Sequence, residues 1–130
     1  MRIISISMAL LLGSGLAQAG NEGEQLFQQN CMACHQAQGQ GIPGAFPALA
    51  GNALVQGSGE QVLRVVLHGR GGMPAFAQSL PDHKIAAILS YIRSHWGNEA
   101  AAISEREVAA IRQSSTKSEV VDRMQVRTQN

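Results

Sequence analysis

Cys31-Met32-Ala33-Cys34-His35 constrains this chain more than any other stretch. Two thiols three residues apart, followed at once by an imidazole, have the spacing of a c-type haem attachment site. Each cysteine can add across a vinyl group of the macrocycle, so two thioethers would hold one edge. His35 stands where its ring can reach the iron from the same face. A chain with such a motif folds around its cofactor. Other readings of the pair are weaker. Cys31 and Cys34 are the only cysteines, which excludes a four-cysteine zinc site within one chain. A thioredoxin-like redox pair needs a βαβ pattern around it, and the sequence has none. A plain disulfide leaves His35 unexplained.

The N-terminus points to export. Arg2 precedes an apolar run from Ile3 to Leu12, and small residues lead to Ala17-Gln18-Ala19, an A-x-A-like cleavage site. Residues 1–19 therefore read as a secretory signal peptide, with the mature chain starting near Gly20. The run is interrupted by Ser5 and Ser7 and falls short of the ~20 residues that a spanning helix requires. No stable membrane insertion is expected after cleavage. Beyond the signal remain nine of the ten Lys and Arg and all nine Asp and Glu, so the side chains balance. That balance gives no reason to expect nucleic acid or an anionic membrane as partner.

All five aromatic residues (Phe27, Phe46, Phe76, Tyr91 and Trp96) fall between positions 27 and 96, so the folded core is expected there, in one domain over residues 20–97. A domain this small buries too little surface to be comfortable without a staple or a cofactor. Residues 21–30 read as a helix, with Gly23 and Phe27 on one face and Leu26 beside them. Residues 36–58, rich in Gly with Pro43 and Pro47, read as mostly loop. A loop of that length is expected to be functional, here by wrapping the cofactor. Val62, Leu63, Val66 and Leu67 give helical spacing over Glu60–Leu67, with Gly69 to end it. Ile85, Ile88, Leu89 and Ile92 mark the clearest amphipathic helix, starting at Pro81 or Asp82 and stopping by Gly97. Residues 98–130 read as an extension. Ser104-Glu105-Arg106-Glu107 has capping-box spacing and Val108 and Ile111 give a short apolar side. Past Ser114 the chain is polar and expected to be a solvated, largely disordered tail, with Val120, Val121 and Met124 as a minor stripe.

An iron held by histidine on one side needs a partner on the other, or an open position for gas or peroxide chemistry. The mature chain offers Met32, Met73 and Met124. Met32 lies inside the attachment motif and Met124 in the tail. Met73 follows the glycine-rich His68-Gly69-Arg70-Gly71-Gly72, where backbone can come close to a macrocycle, and precedes Pro74, which stiffens the chain. Met73 is thus the expected distal ligand, with His68 as runner-up. Arg70 is equally readable as a partner for a haem propionate or as an exposed arginine. His83 and His95 flank the last core helix and read as exposed.

With these residues in place the chain resembles the class I c-type cytochromes, from about Gly23 to Gly97. The resemblance implies an all-α fold, a small cytochrome c fold of three to four helices and loops around one covalently attached haem c. It implies that the first and last helices meet through a small residue and aromatics, matched by Gly23, Phe27 and Tyr91. Phe46-Pro47-Ala48-Leu49 matches the pattern in which a proline carbonyl receives the proximal histidine's N–H. Pro47 is then the orienting group, which would raise the basicity of His35, and Leu49 is a haem contact. Gly41 to Pro47 and Gly71 to Phe76 resemble a bacterial, periplasmic subgroup. That likeness implies redox protein partners such as a periplasmic dehydrogenase, a reductase or a terminal oxidase. The expected function is single-electron transfer rather than enzymatic catalysis. A cytochrome subunit of a dehydrogenase or oxidase complex is the first alternative, and a peroxidase or gas-binding haem protein the second.

Overall fold

The computed structural model describes residues 17–127. Among them are six helices: α1 (Ala17–Asn30), α2 (Met32–His35), α3 (Ala53–Gln56), α4 (Gly59–His68), α5 (Asp82–Ser94) and α6 (Glu105–Arg127). No strand occurs among the described residues, only the isolated bridges Ile42–Phe46 and Arg70–Met73. Most of the expected signal peptide lies outside the described residues.

The fold is built on α1 against α5. A Cβ at Gly23 would lie 2.5 Å from the Ala87 carbonyl oxygen and 2.8 Å from the Tyr91 Cβ, so only glycine lets the two backbones come this close. One turn on, Phe27 is buried, its ring 5.7 Å from Tyr91 and 5.0 Å from Trp96, and Tyr91 meets Trp96 edge-on at 5.4 Å. Tilted and edge-on rings suit the aromatic quadrupole and add to the area they bury. α4 supplies Val62, Leu63 and Leu67 to the same core, and α5 supplies Ile85, Ile88, Leu89 and Ile92. These are the positions that the helical spacing marks. Gly69, at φ +76°, ends α4 through its N–H to the Val65 carbonyl, as a C-terminal glycine does.

One expectation is refined and another changes. Residues 36–58 contain a single helical turn, α3. Asn52 caps it, its Oδ1 accepting from Leu54 N–H (2.9 Å) and Val55 N–H (3.3 Å). The extension is also neither short in its helix nor separate from the core. The expected capping box forms, with Ser104 N–H and Oγ–H both donating to Glu107 Oε2 at 2.7 and 2.6 Å. α6 then runs to Arg127 rather than ending near Ser114. No glycine or proline interrupts residues 105–127, so once nucleated the helix has nothing to stop it. Ile103 and Val108 belong to the main core, and Ile111 packs against it. The core therefore reaches past residue 97 to the first turns of α6, while Val120, Val121 and Met124 remain exposed.

Candidate haem site

The attachment motif grows directly out of α1. Cys31 N–H donates to the Phe27 carbonyl at 2.8 Å, and the Cys31 carbonyl accepts from Cys34 N–H (3.2 Å) and His35 N–H (3.0 Å). This single turn, α2, presents two free thiols, both half-buried. Burial, and then the neighbouring Cys34, push the Cys31 thiol up to about 11. Cys31 is therefore a neutral thiol at pH 7.

His35 is buried, and its Nδ1 lies 2.9 Å from the Pro47 carbonyl oxygen. A carbonyl can only accept, so Nδ1 carries the proton. Nε2 then keeps its lone pair, the form in which imidazole binds a metal. The loop that brings Pro47 there follows from local geometry. Gln36 leaves the helix at φ +64°, Gly41 N–H donates to the His35 carbonyl at 2.9 Å, and Ile42 and Phe46 exchange backbone hydrogen bonds at 2.9 and 2.8 Å. A Cβ at Gly41 would lie 2.5 Å from the Phe46 carbonyl oxygen and 2.6 Å from Pro47 O, at φ +64°. Glycine at 41 is thus the condition for Pro47 to reach His35.

The same loop is tied down farther along. Leu49 and Ala50 N–H both donate to the Gly39 carbonyl, at 2.7 and 3.0 Å. Asn98 Nδ2 donates to the carbonyls of Leu49 (3.0 Å) and Ile92 (2.9 Å). Leu49 is half-buried against the core. Arg93, almost fully buried, donates to the carbonyls of Ala101 (2.7 Å), Val55 (2.6 Å) and Gly57 (3.1 Å). Its Nε–H and Nη1–H donors thus tie three segments of backbone together in the interior.

Met73 sits on the loop between α4 and α5. Arg70 and Met73 exchange backbone hydrogen bonds at 3.1 and 3.0 Å around Gly71 and Gly72, with Gly71 at φ +57°. Its side chain is half-buried, and that of Arg70 is exposed. His68 is exposed, and its Nε2 lies 2.8 Å from Ser115 Oγ. That hydroxyl donates to the Ile111 carbonyl at 2.9 Å, so His68 Nε2 is the donor in this contact and the lone pair of the neutral ring lies on Nδ1. His83 and His95 are exposed.

The residues present fit a haem. Among the described residues no group of three or more His, Cys, Asp and Glu could hold a bare metal ion. The donors in place are one oriented imidazole, two free thiols beside it and a thioether on another loop. Such a set suits an iron that arrives with its own in-plane nitrogens. Met32, Ile42 and Phe46, all more than a third exposed, add apolar surface in and just after the motif.

A helical fold with a thiol–thiol–imidazole turn at its first long helix defines a haem-binding class, and the comparisons with known proteins agree. Residues 18–92 match the family model described as cytochrome C oxidase, cbb3-type, subunit III. Cytochrome c-552 of Thermus thermophilus is 42% identical over 107 residues, covering 70% of this chain and 71% of its own. The dihydro-heme d1 dehydrogenase of Pseudomonas aeruginosa is 41% identical over 95 residues, 71% of this chain but 19% of that protein. The cytochrome c subunit of alcohol dehydrogenase (quinone) from Gluconacetobacter polyoxogenes is 32% identical over 106 residues, 72% of this chain and 22% of that one. The chain belongs to the cytochrome c family. One covalently attached haem c is the cofactor that membership entails, and electron transfer its work. No helix among the described residues is long and apolar enough to cross a membrane.

Arg93, Asn98 and Arg112 are the structural residues that sequence reasoning missed. For Arg93 a signal existed: it follows Ile85 and Leu89 at four-residue spacing, on the buried face of α5.

Proposed function

We propose that this chain is an exported, periplasmic monohaem cytochrome c that carries single electrons between redox proteins and is not itself an enzyme. In this reading Cys31 and Cys34 would bond the haem, His35 Nε2 and the Met73 sulfur would ligate its iron, Pro47 would orient His35, and Leu49 would contact the macrocycle. When bound, the haem supplies a one-electron redox centre. The hydrogen bond from His35 Nδ1 to the Pro47 carbonyl carries the proposal. It holds the ring in one tautomer, aims Nε2 away from the loop and raises the ligand's basicity. A thioether as the second iron ligand would favour a raised potential and electron transfer over substrate binding. Periplasmic residence is supported by the charged start, apolar run and A-x-A-like site of residues 1–19.

The test is a Met73→Ala variant matured with its haem. Haem should stay attached, the potential should fall, and the red-region sulfur–iron absorption should vanish. Retention of that absorption and of the parent potential would remove Met73 from the site.

A second reading is favoured by the relatives that are named as cytochrome subunits of dehydrogenases acting on alcohol, fructose and gluconate. This chain would then deliver electrons from within a dehydrogenase complex. Because it spans only about a fifth of the alcohol and fructose dehydrogenase subunits (22% of each), their substrates do not transfer with the likeness. Co-purification of a dehydrogenase with the full chain, but not with a chain ending at Thr116 that keeps the docked turns of α6, would support this second reading.

A further inference from the structure

The Met73 loop is held at both ends by one turn of α6. Arg112 Nε donates to Asp82 Oδ1 at 2.7 Å, Nη1 donates to the Ala77 carbonyl, and Nη2 donates to the Leu80 carbonyl at 3.0 Å. The guanidinium and carboxylate are each only about a quarter exposed (27% and 25%), so solvent screens the pair less than at an open surface. Three residues along α6, Ser115 Oγ receives the Nε2–H of His68, where the loop departs from α4. α4 braces the other side, its Val66 and Leu67 carbonyls accepting from Phe76 N–H (3.0 Å) and Ala77 N–H (3.2 Å). Between these anchors only the Arg70–Met73 turn and Pro74 separate the fixed backbone from the thioether.

We propose that Arg112 is a positioning residue for Met73: its three-way grip on Ala77, Leu80 and Asp82 fixes the backbone that presents the sulfur to the iron. This rests on Met73 being the distal ligand. Arg112 touches neither iron nor haem in this account and acts only through the loop. A hydrogen bond to a charged donor is stronger than a neutral one, and losing the partner of two loop carbonyls at once loosens the segment, leaving it to its α4 bonds and its own turns.

The experiment is a titration of the ferric holoprotein with imidazole, which competes with the sulfur for the iron. Arg112→Ala should bind imidazole about tenfold more tightly than the parent, the size expected from losing charge-assisted hydrogen bonds. It should also lose its red-region sulfur–iron absorption at a lower temperature than haem-linked helicity. Arg112→Gln, which keeps one donor for one carbonyl, should fall between, and it carries the test if the alanine variant does not accumulate. Asp82→Asn keeps both carbonyl contacts and an amide oxygen to accept from Nε, and should shift affinity less than Arg112→Gln does. Ser104→Ala weakens the start of α6 without touching the loop, and should leave imidazole affinity unchanged. Parent-like affinity in both Arg112 variants, or an equal shift in Ser104→Ala, overturns the proposal. Met73→Ala run alongside separates the two claims: if it keeps the sulfur–iron absorption, the ligand assignment fails, whereas its loss with parent-like Arg112 variants sinks the positioning role alone.

Discussion

The two loops that approach the cofactor are held in different ways. The His35 side, from Gln36 to Leu49, is braced mainly by its own backbone. Gly41 bonds His35, Ile42 bonds Phe46, and Gly39 receives both Leu49 and Ala50. Its glycines at positive φ make those close passages possible. The Met73 side has two short turns of its own, Arg70–Met73 and Phe76–Leu80, and is otherwise restrained by α4 and by α6, the latter outside the expected domain. A loop closed on itself holds its geometry with little outside help. A loop tied to another helix depends on the few side chains that make the tie, here Arg112 above all, so the imidazole side should be the rigid half and the thioether side the adjustable one.

The contrast can be broken most severely at Gly41. Gly41→Ala puts a Cβ 2.5 Å from the Phe46 carbonyl at a positive φ, and should cost about 4 kcal/mol, combining overpacking with backbone strain. Denaturant unfolding of the matured protein measures the cost, and the His35 ring resonances should shift as the Pro47 bond is lost. Next is Arg93→Ala, which strips the carbonyls of Val55, Gly57 and Ala101 of a buried partner. About 3 kcal/mol is expected, again from unfolding curves, with the Met73 side spectroscopically unchanged.

A smaller effect belongs to the start of α6. Ser104→Ala should cost about 1 kcal/mol as a lost N-cap. The Ser104 side chain and backbone N–H hold the Glu107 carboxyl below its usual range. A depressed carboxyl contributes stability above its unfolded pKa and loses it as pH falls through the folded value. The parent should therefore lose its advantage over Ser104→Ala on acidification, and thermal midpoints at neutral and acid pH read this directly. Smallest of all, Val120→Ser and Val121→Ser on the exposed end of α6 should stay within about 0.5 kcal/mol of the parent.

The regular helices were legible because their apolar positions repeat at helical spacing. Gly23, Phe27 and Tyr91 do meet, and Ser104 and Glu107 form their box, because each depends on residues a turn or so apart or on a single close approach. α3 escaped because a four-residue helix leaves no periodicity, though Asn52 was a readable cap. The length of α6 escaped because a polar run reads as disorder, whereas an unbroken stretch without glycine or proline lets a capped and docked helix continue. Asn98 and Arg112 act on backbone carbonyls of other segments, Leu49 and Leu80 among them. Carbonyls are present at every residue, so such contacts carry no sequence signature. The haem motif was legible for the opposite reason, since its chemistry demands three particular side chains at fixed spacing.

Absorption spectra of exported, matured protein in the oxidised and reduced states bear most directly on the central claim. The account predicts a covalently bound haem that survives denaturation, with ferric sulfur–iron absorption that disappears in Met73→Ala while the haem stays bonded. Colourless protein with both thiols free or joined to each other, or a ferrous form that binds carbon monoxide rapidly without any substitution, would contradict it.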